Sequence, residues 1–583
     1  MSNQDARLET YRQGQEPIPD RHWIWPLYGQ GLENLGRDHQ PVQVELPQPG
    51  PDELLVRHDA VGLCFSDTKV INVGEEHPRL HGRNMRTDPV VLGHEVALTV
   101  VQVGENLSKR FQQGDRFILQ ADIYYQGVGL AYGYALQGGL SQYNVVGKEI
   151  LHGDEGCYLL PLAEHMGYAQ GALTEPWACV VAACDIAYRT GWQPGGRVLI
   201  IGGPAADDAT ELGDPHSIDG PPEVVYALDV PEALLAELQA QAAERGYRVE
   251  TVASLETLAG QKFGDIVLLG ADSALYEAVE PLADSPAVIN LVGVGGFEGT
   301  AQVDVGRLHY DHLGLVGTAS GRVSDGYAPI RTESRPGGSM MLMGAAGPMG
   351  QMFFQRALQT ADCPRLIVAT SRVMDRLAYL PNKFEQLIES RCDVTRVLVR
   401  AMGDQPASEF YAELLAETVD GSQANGQGFD DIIIMAPSAQ VVAEAATLLA
   451  PGGVVNIFAG LPRGTKAPIP LADIAAKGIR LVGSSGSAIA DLQRMLVEAE
   501  SGRLDPNLSV VAVAGLSAAK EGIIGVMEQQ FAGKVVVYPQ VLDFPLTMLP
   551  DLQERLPGVY ARLGPNESWT VEAEQAFLAE LLP

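Results

Sequence analysis

Residues 339–359 read SMMLMGAAGPMGQMFFQRALQ. Five residues of strand character run into a glycine-rich turn, and the turn opens an apolar-periodic helix. Strand, glycine turn and helix together make a dinucleotide phosphate loop. Glycines let the backbone approach a pyrophosphate, and the helix N-terminus offers unpaired N–H groups and a partial positive charge. Gly344, Gly347, Pro348, Met349 and Gly350 are the candidate cofactor residues. The competing reading is a glycine turn kept for packing alone. The following strand ends in Ala369-Thr370-Ser371-Arg372. An acid at that place would bond an adenosine ribose, whereas a basic residue accommodates a 2′-phosphate. Ser371 and Arg372 therefore favour NADP(H) over NAD(H), against the alternative of a solvated, idle arginine.

Upstream, GRVLIIGG ending at Gly203 matches GSMMLMGA ending at Ala345, and Asp229 falls opposite Ser371. Here Ala205 and Asp208 replace Gly347 and Gly350, and Gly213-Asp214-Pro215 interrupts any helix. Carboxylates where phosphates would sit make a poor anion site, so this copy reads as a unit that lost its cofactor and stayed as a packing partner. Further on, Phe263 recurs as Phe429, 166 positions later (429 − 263), and Asn290 and Gly317 recur as Asn456 and Gly483 at the same offset. Three anchors at one offset indicate a duplicated doubly wound α/β unit. The expected units are residues 195–320, degenerate, and 338–540, dinucleotide-binding. The turn-rich stretch 321–338 connects them, and the second copy carries its extra sequence around residues 392–428.

Residues 40–150 look different. Short β-rich runs such as ELLVRHDAVG and VALTVVQVG alternate with turns, as in a small β-barrel. Within them lie Cys64-Phe65-Ser66-Asp67 and Gly93-His94-Glu95. A thiolate, an imidazole and a carboxylate are the donor set of a catalytic zinc, whose fourth position stays open. Taken singly, Cys64 reads as a small buried hydrophobe, His94 as a core histidine, and Glu95 and Glu175 as surface charges.

These fragments and their order resemble the zinc-containing medium-chain dehydrogenase/reductase family, over about residues 40–200 and 338–540. Within it, DPVVLGHE, RFILQADIYY and ALTEPWACV are similar to L-sorbose 1-phosphate reductase-like sugar and polyol dehydrogenases. The resemblance implies α/β plus β architecture: a GroES-like β-barrel catalytic domain at 1–194, completed by a C-terminal segment of about 541–583, with two tandem Rossmann-like domains. It implies zinc ligands at Cys64 and His94 and a third at Glu95 or at Glu175 of the Glu175-Pro176 pair. Ser66 matches the hydroxyl that passes the substrate proton toward solvent, and Asp67 the carboxylate that orients a ligand. The family's four-cysteine structural zinc lobe is missing, because no cysteine follows Gly114-Asp115-Arg116 up to residue 150. One catalytic zinc and no structural zinc are expected. The implied reaction moves hydride between NAD(P) and a secondary alcohol or ketone, a sugar, polyol or sugar phosphate. A catalytically decayed dinucleotide-binding or regulatory relative of the same fold is the alternative.

Composition sets the remaining bounds. A net charge of −33 argues against nucleic acid and anionic membrane surfaces as partners. Six scattered cysteines without a C-x-x-C pair, and a polar N-terminus, fit a reducing cytoplasm. The expected partner is a small molecule, and a homo-oligomer (dimer or tetramer) is expected. Arg79, His81, Arg83 and Arg86 cluster between the two ligand fragments of this acidic chain. They read either as the holder of an anionic substrate group or as a solvated loop.

Overall fold

The architecture was established in a computed structural model that describes residues 3–185, 189–203, 206, 209–293, 295–328, 333–419 and 427–583. The catalytic unit is built around β1 (Leu54–Gly62), buried along its whole length. The charges inside this strand are internally matched: Arg57 pairs with Asp59 at 2.7 Å and with Glu16, and its guanidinium lies 3.4 Å from the Tyr11 ring centre. A buried charge survives only with such partners. Helix α1 (Phe65–Val73) follows, then β2 (Glu95–Val103), antiparallel to β1, and β3 (Arg116–Leu119) beyond it. Helix α2 (Thr174–Cys184) leads out of the unit.

The first α/β copy contributes β4 (Arg197–Gly202), β5 (Val224–Leu228), β6 (Arg248–Thr251), β7 (Phe263–Leu269), β8 (Ala283–Val292), β9 (Thr300–Asp304), α3 (Val305–Tyr310) and β10 (Leu313–Thr318). The second contributes β11 (Ser339–Met343), α4 (Pro348–Gln359), β12 (Leu366–Ser371), β13 (Arg396–Ala401), β14 (Phe429–Ile434), β15 (Leu449–Ile457), β16 (Lys466–Pro470), α5 (Leu471–Lys477) and β17 (Arg480–Gly483). Together they form one twelve-stranded sheet in the order β6-β5-β4-β7-β8-β10-β17-β15-β14-β11-β12-β13. Each half has the 3-2-1-4-5-6 order of a dinucleotide-binding fold.

The halves meet antiparallel at β10 and β17, with Leu315 opposite Leu481. Strands β9 and β16 pair antiparallel as well, with Gln302 opposite Pro468. Both pairs join residues that correspond in the repeat, so both lie on a local twofold axis, as in an isologous contact. Glycines make the approach possible. A Cβ on Gly317 would sit 1.8 Å from Ile474 O, and one on its counterpart Gly483 would sit 2.8 Å from Leu308 O.

The chain rejoins the barrel earlier than position 541, where the sequence placed the return. β18 (Val510–Gly515) and β19 (Lys534–Tyr538) are parallel to each other, joined by α6 (Ala519–Met527), and β19 pairs with β1 at Val536 and Gly62. A β–α–β crossover in the barrel has the same apolar periodicity as one in an α/β unit, which is why sequence assigned it to the second copy. Trp177 and Ala178 of α2 share one core with Met340, Phe353 and Phe354. The second copy is therefore the one docked on the catalytic unit. No helix among the described residues is long and apolar enough to cross a membrane.

Candidate metal and dinucleotide site

Cys64 caps the N-terminus of α1 and shares a capping box with Asp67. Gly93 precedes His94 with φ of 95°, and a Cβ there would lie 3.0 Å from Val61 and 3.1 Å from Leu140 N, so only glycine fits the turn. One buried carboxylate ties the two fragments together. Asp67 accepts from Cys64 N at 3.1 Å through Oδ2, and through Oδ1 from Gly93 N at 3.3 Å and His94 Nδ1 at 3.2 Å. Its grip on Nδ1 directs Nε2 of His94 away, toward the remaining donors. Burial opposes a charge on His94, but Asp67 and Cys64 outweigh it and hold its pKa well above the usual range.

Cys64, His94 and Glu95 bring donor atoms within 4.8 Å of one another. Glu95 opens β2, facing Gly62 across the ladder, and a Cβ on Gly62 would come 2.1 Å from Glu95 Oε2. Glu95 Oε1 accepts from Lys534 Nζ at 2.5 Å, while Oε2 is buried without a partner. A thiolate, an imidazole and an orphaned carboxylate oxygen around one point fit a zinc ion by chemistry and number. Lys534 also donates to Leu63 O at 3.1 Å. Burial alone would lower its pKa; Glu95 and Cys64 reverse that and raise it. Sequence gave no hint of Lys534, which lies 439 positions from its partner.

Glu175 stands in the first turn of α2, half-buried and outside this trio. Burial lifts its carboxyl to about 7, with His94 opposing and Glu95 adding. Ser66 is half-exposed on the first turn of α1. Tyr134, also missed by sequence, packs its ring 5.9 Å from His94 and 5.4 Å from His77.

The basic cluster between the fragments is committed internally. Arg79 pairs with Asp122 at 2.5 Å, Arg83 grips Asp88 at 2.7 and 2.9 Å and donates to two carbonyls, and His81 meets Gly129 O at 2.7 Å. Three of the four residues thus already have partners within the protein.

In the second copy, Gly344 turns with φ of 89°, Gly347 caps α4, and Pro348 occupies its first turn, where a missing N–H costs nothing. A Cβ on Gly347 would meet nothing within 4 Å, whereas one on Gly350 would lie 2.5 Å from Ala345 Cα. Gly347 thus borders open space and Gly350 lets the helix press on the loop. Met349 is half-buried, Ser371 ends β12, and Arg372 beside it is exposed. The copy is latched to the catalytic unit by Asn456 Nδ2 donating to Ala183 O at 2.5 Å and by Gln120 donating to Ser487 O.

In the first copy, Ala205, Asp207 and Asp208 lie outside the described residues. Between β4 and β5 no helix occurs among the described residues, and a Cβ on Gly203 would lie 1.6 Å from Gly270 O. Among the described residues, then, no helix N-terminus stands there to receive a pyrophosphate.

Residues 50–153 match the alcohol dehydrogenase GroES-like domain. The mannitol-1-phosphate 5-dehydrogenase of Aliivibrio fischeri is 24% identical over 558 residues, 93% of this chain and 95% of that protein. The L-sorbose 1-phosphate reductase of Klebsiella pneumoniae is 23% identical over 557 residues, 95% and 96%. Sorbitol dehydrogenase of Gallus gallus is 31% identical over 183 residues, 29% of this chain and 46% of that one. Among solved structures, 2R,3R-butanediol dehydrogenase from Bacillus subtilis is similar in fold, with a TM-score of 0.50 and 16% identity over 89% of this chain and 99% of that one.

Proposed function

We propose that the chain is a zinc-dependent member of the medium-chain dehydrogenase/reductase family, interconverting a polyol or sugar phosphate with its ketone and using NADP(H) in preference to NAD(H). The observation that carries this reading is the Cys64, His94 and Glu95 trio, held within 4.8 Å beside the unit that bears the intact glycine loop. Relatives that span nearly the whole chain are a mannitol-1-phosphate dehydrogenase and an L-sorbose 1-phosphate reductase, which favours a phosphorylated substrate.

Bound at these residues, zinc supplies Lewis acidity toward the alcohol or ketone oxygen and the dinucleotide supplies the hydride acceptor or donor. The chain's own groups do the rest. Cys64, His94 and Glu95 hold the metal, with Glu175 as an acidic neighbour. Asp67 fixes the His94 tautomer, and Lys534 pairs with Glu95 Oε1 and holds that carboxylate in place. Ser66 Oγ takes the substrate proton and passes it toward water. Gly344, Gly347 and Gly350 leave room for the pyrophosphate, Pro348 and Met349 set the first turn behind it, and Ser371 and Arg372 receive the ribose phosphate.

Purified enzyme given NADP+ or NAD+ with a hexitol 1-phosphate, the free hexitol and a simple secondary alcohol should reduce NADP+ fastest with the phosphorylated polyol. A chain that binds zinc and NADPH yet turns over none of these substrates overturns the proposal.

A further inference from the structure

The degenerate copy carries a polar pair that its own fold does not need. Helix α3 ends in His309-Tyr310, and the corresponding positions of α5 are Ala475-Ala476. The local twofold sets each helix against the other copy, as the matched Gly317–Ile474 and Gly483–Leu308 approaches demonstrate. Of the two equivalent positions, only the one over the intact dinucleotide unit carries hydrogen-bonding side chains.

These groups converge on Gly460, just past the carboxyl end of β15, where α/β folds present ligands. A Cβ built on Gly460 would lie 2.9 Å from the Tyr310 hydroxyl, 3.4 Å from Lys69 Nζ and 3.7 Å from His309 Nε2. Three segments of the chain thus meet: α1 of the catalytic unit, α3 of the first copy and the β15 loop of the second. Lys69 lies within two turns of Cys64 on α1 and is exposed. The Tyr134 ring packs against both His94 and His77, and burial, with the Arg79 and Lys69 charges, lowers the pKa of His77.

The chemistry of the three groups is defined. Neither the Lys69 ammonium nor the Tyr310 hydroxyl has a hydrogen-bond partner among the described residues. His309 Nδ1 meets the Ile457 carbonyl at 3.2 Å. A carbonyl only accepts, so Nδ1 carries the proton and Nε2 faces Gly460 as an acceptor. Burial keeps this ring neutral, with its pKa lowered to about 4. One cation, one hydroxyl donor and one acceptor suit an anionic oxygen next to an alcohol. In a chain of net charge −33, an uncompensated cation beside the cleft selects for an anion locally.

We propose that Lys69, Tyr310 and His309 form the subsite for the phosphate-bearing end of the substrate. Lys69 and Tyr310 hold phosphate oxygens, and His309 Nε2 accepts from a neighbouring hydroxyl. The inference rests on the polyol-phosphate reading above and assigns the first copy a role in specificity.

The test measures kcat/KM for a hexitol 1-phosphate and for the free hexitol in wild type, Lys69→Met, Lys69→Arg and Tyr310→Phe. In parallel, binding of inorganic phosphate to the zinc-free chain is followed by calorimetry, and NADPH binding by fluorescence. Loss of a hydrogen bond to a charged group weakens recognition by roughly ten- to hundredfold. The ratio of phosphorylated to free substrate should fall by about that factor in Lys69→Met and less in Tyr310→Phe. Phosphate binding should weaken in step, and Lys69→Arg should restore most of both. A ratio that moves less than about twofold in Lys69→Met, or a loss confined to NADPH binding, overturns the subsite. If wild type turns over no polyol at all, the functional reading fails instead, and the phosphate titration alone decides whether the subsite exists.

Discussion

Replacing Lys534 with methionine tests how the metal site is built. Lys534 and Glu95 are both buried, with side chains 3% and 0% exposed, and their contact is 2.5 Å. Glu95 Oε2 already lacks a partner. Removing the ammonium leaves a whole carboxylate uncompensated in the barrel core and also orphans Leu63 O. Breaking a buried pair in this way costs about 3–5 kcal/mol, whereas replacing both members by apolar groups is close to neutral. A chain of this size need not unfold in one step, so the readout should be local. Hydrogen exchange in peptides covering Leu54–Gly62 of the metal-free protein serves this purpose. A loss of about 3–5 kcal/mol corresponds to exchange about 150- to 5000-fold faster. The double variant Glu95→Leu/Lys534→Met should recover most of the protection while binding no metal. The deficit in the single variant should shrink on acidification, because an unpartnered buried carboxyl is most costly when ionised. Acceleration below about tenfold, or a double variant as labile as the single one, would refute the reasoning.

Three further outcomes are expected. Asp67→Asn keeps the shape but weakens the tether between Cys64, Gly93 and His94, so zinc affinity in a competitive chelator titration should fall about 10- to 100-fold. Gly347→Ala adds a methyl in open space and should leave thermal stability within about 1 °C while lowering NADPH affinity; Gly350→Ala, forced against Ala345, should lower both. His58 is buried between Ser141 O and Tyr132 Oη with its pKa held near 4. The unfolded chain therefore binds its proton first as pH falls, and stability should decline from about pH 6.5 toward 4, by about 3 kcal/mol in all. The pH profile of the melting temperature should flatten in His58→Gln.

What sequence made legible was local or periodic. The glycine loop at Gly344–Gly350, the 166-residue repeat and the Cys64 and His94 fragments announce themselves because spacing along the chain encodes their geometry. Sequence left open which copy packs on the barrel and whether Glu95 or Glu175 joins Cys64 and His94. Those facts depend on packing: Trp177 against Phe353, and Glu95 against Gly62. Lys534 was illegible because a lysine opening a valine-rich strand looks like a solvated strand end until that strand inserts beside β1. The basic loop stayed ambiguous in sequence for the opposite reason. Arg79 and Arg83 stand out in an acidic sequence, yet their carboxylates, Asp122 and Asp88, are supplied from elsewhere or from the next turn. His309 and Tyr310 gain meaning only once the local twofold brings α3 over the other copy's loop.

The central claim is that one zinc at Cys64, His94 and Glu95 works with one dinucleotide on the second copy. Equilibrium binding on a single preparation, counting zinc and NADPH per chain and following turnover of a ketose phosphate as zinc is withdrawn and restored, tests it directly. The account expects one zinc, one NADPH, and activity that disappears and returns with the metal. Two NADPH per chain, or full turnover in zinc-free protein, would contradict it.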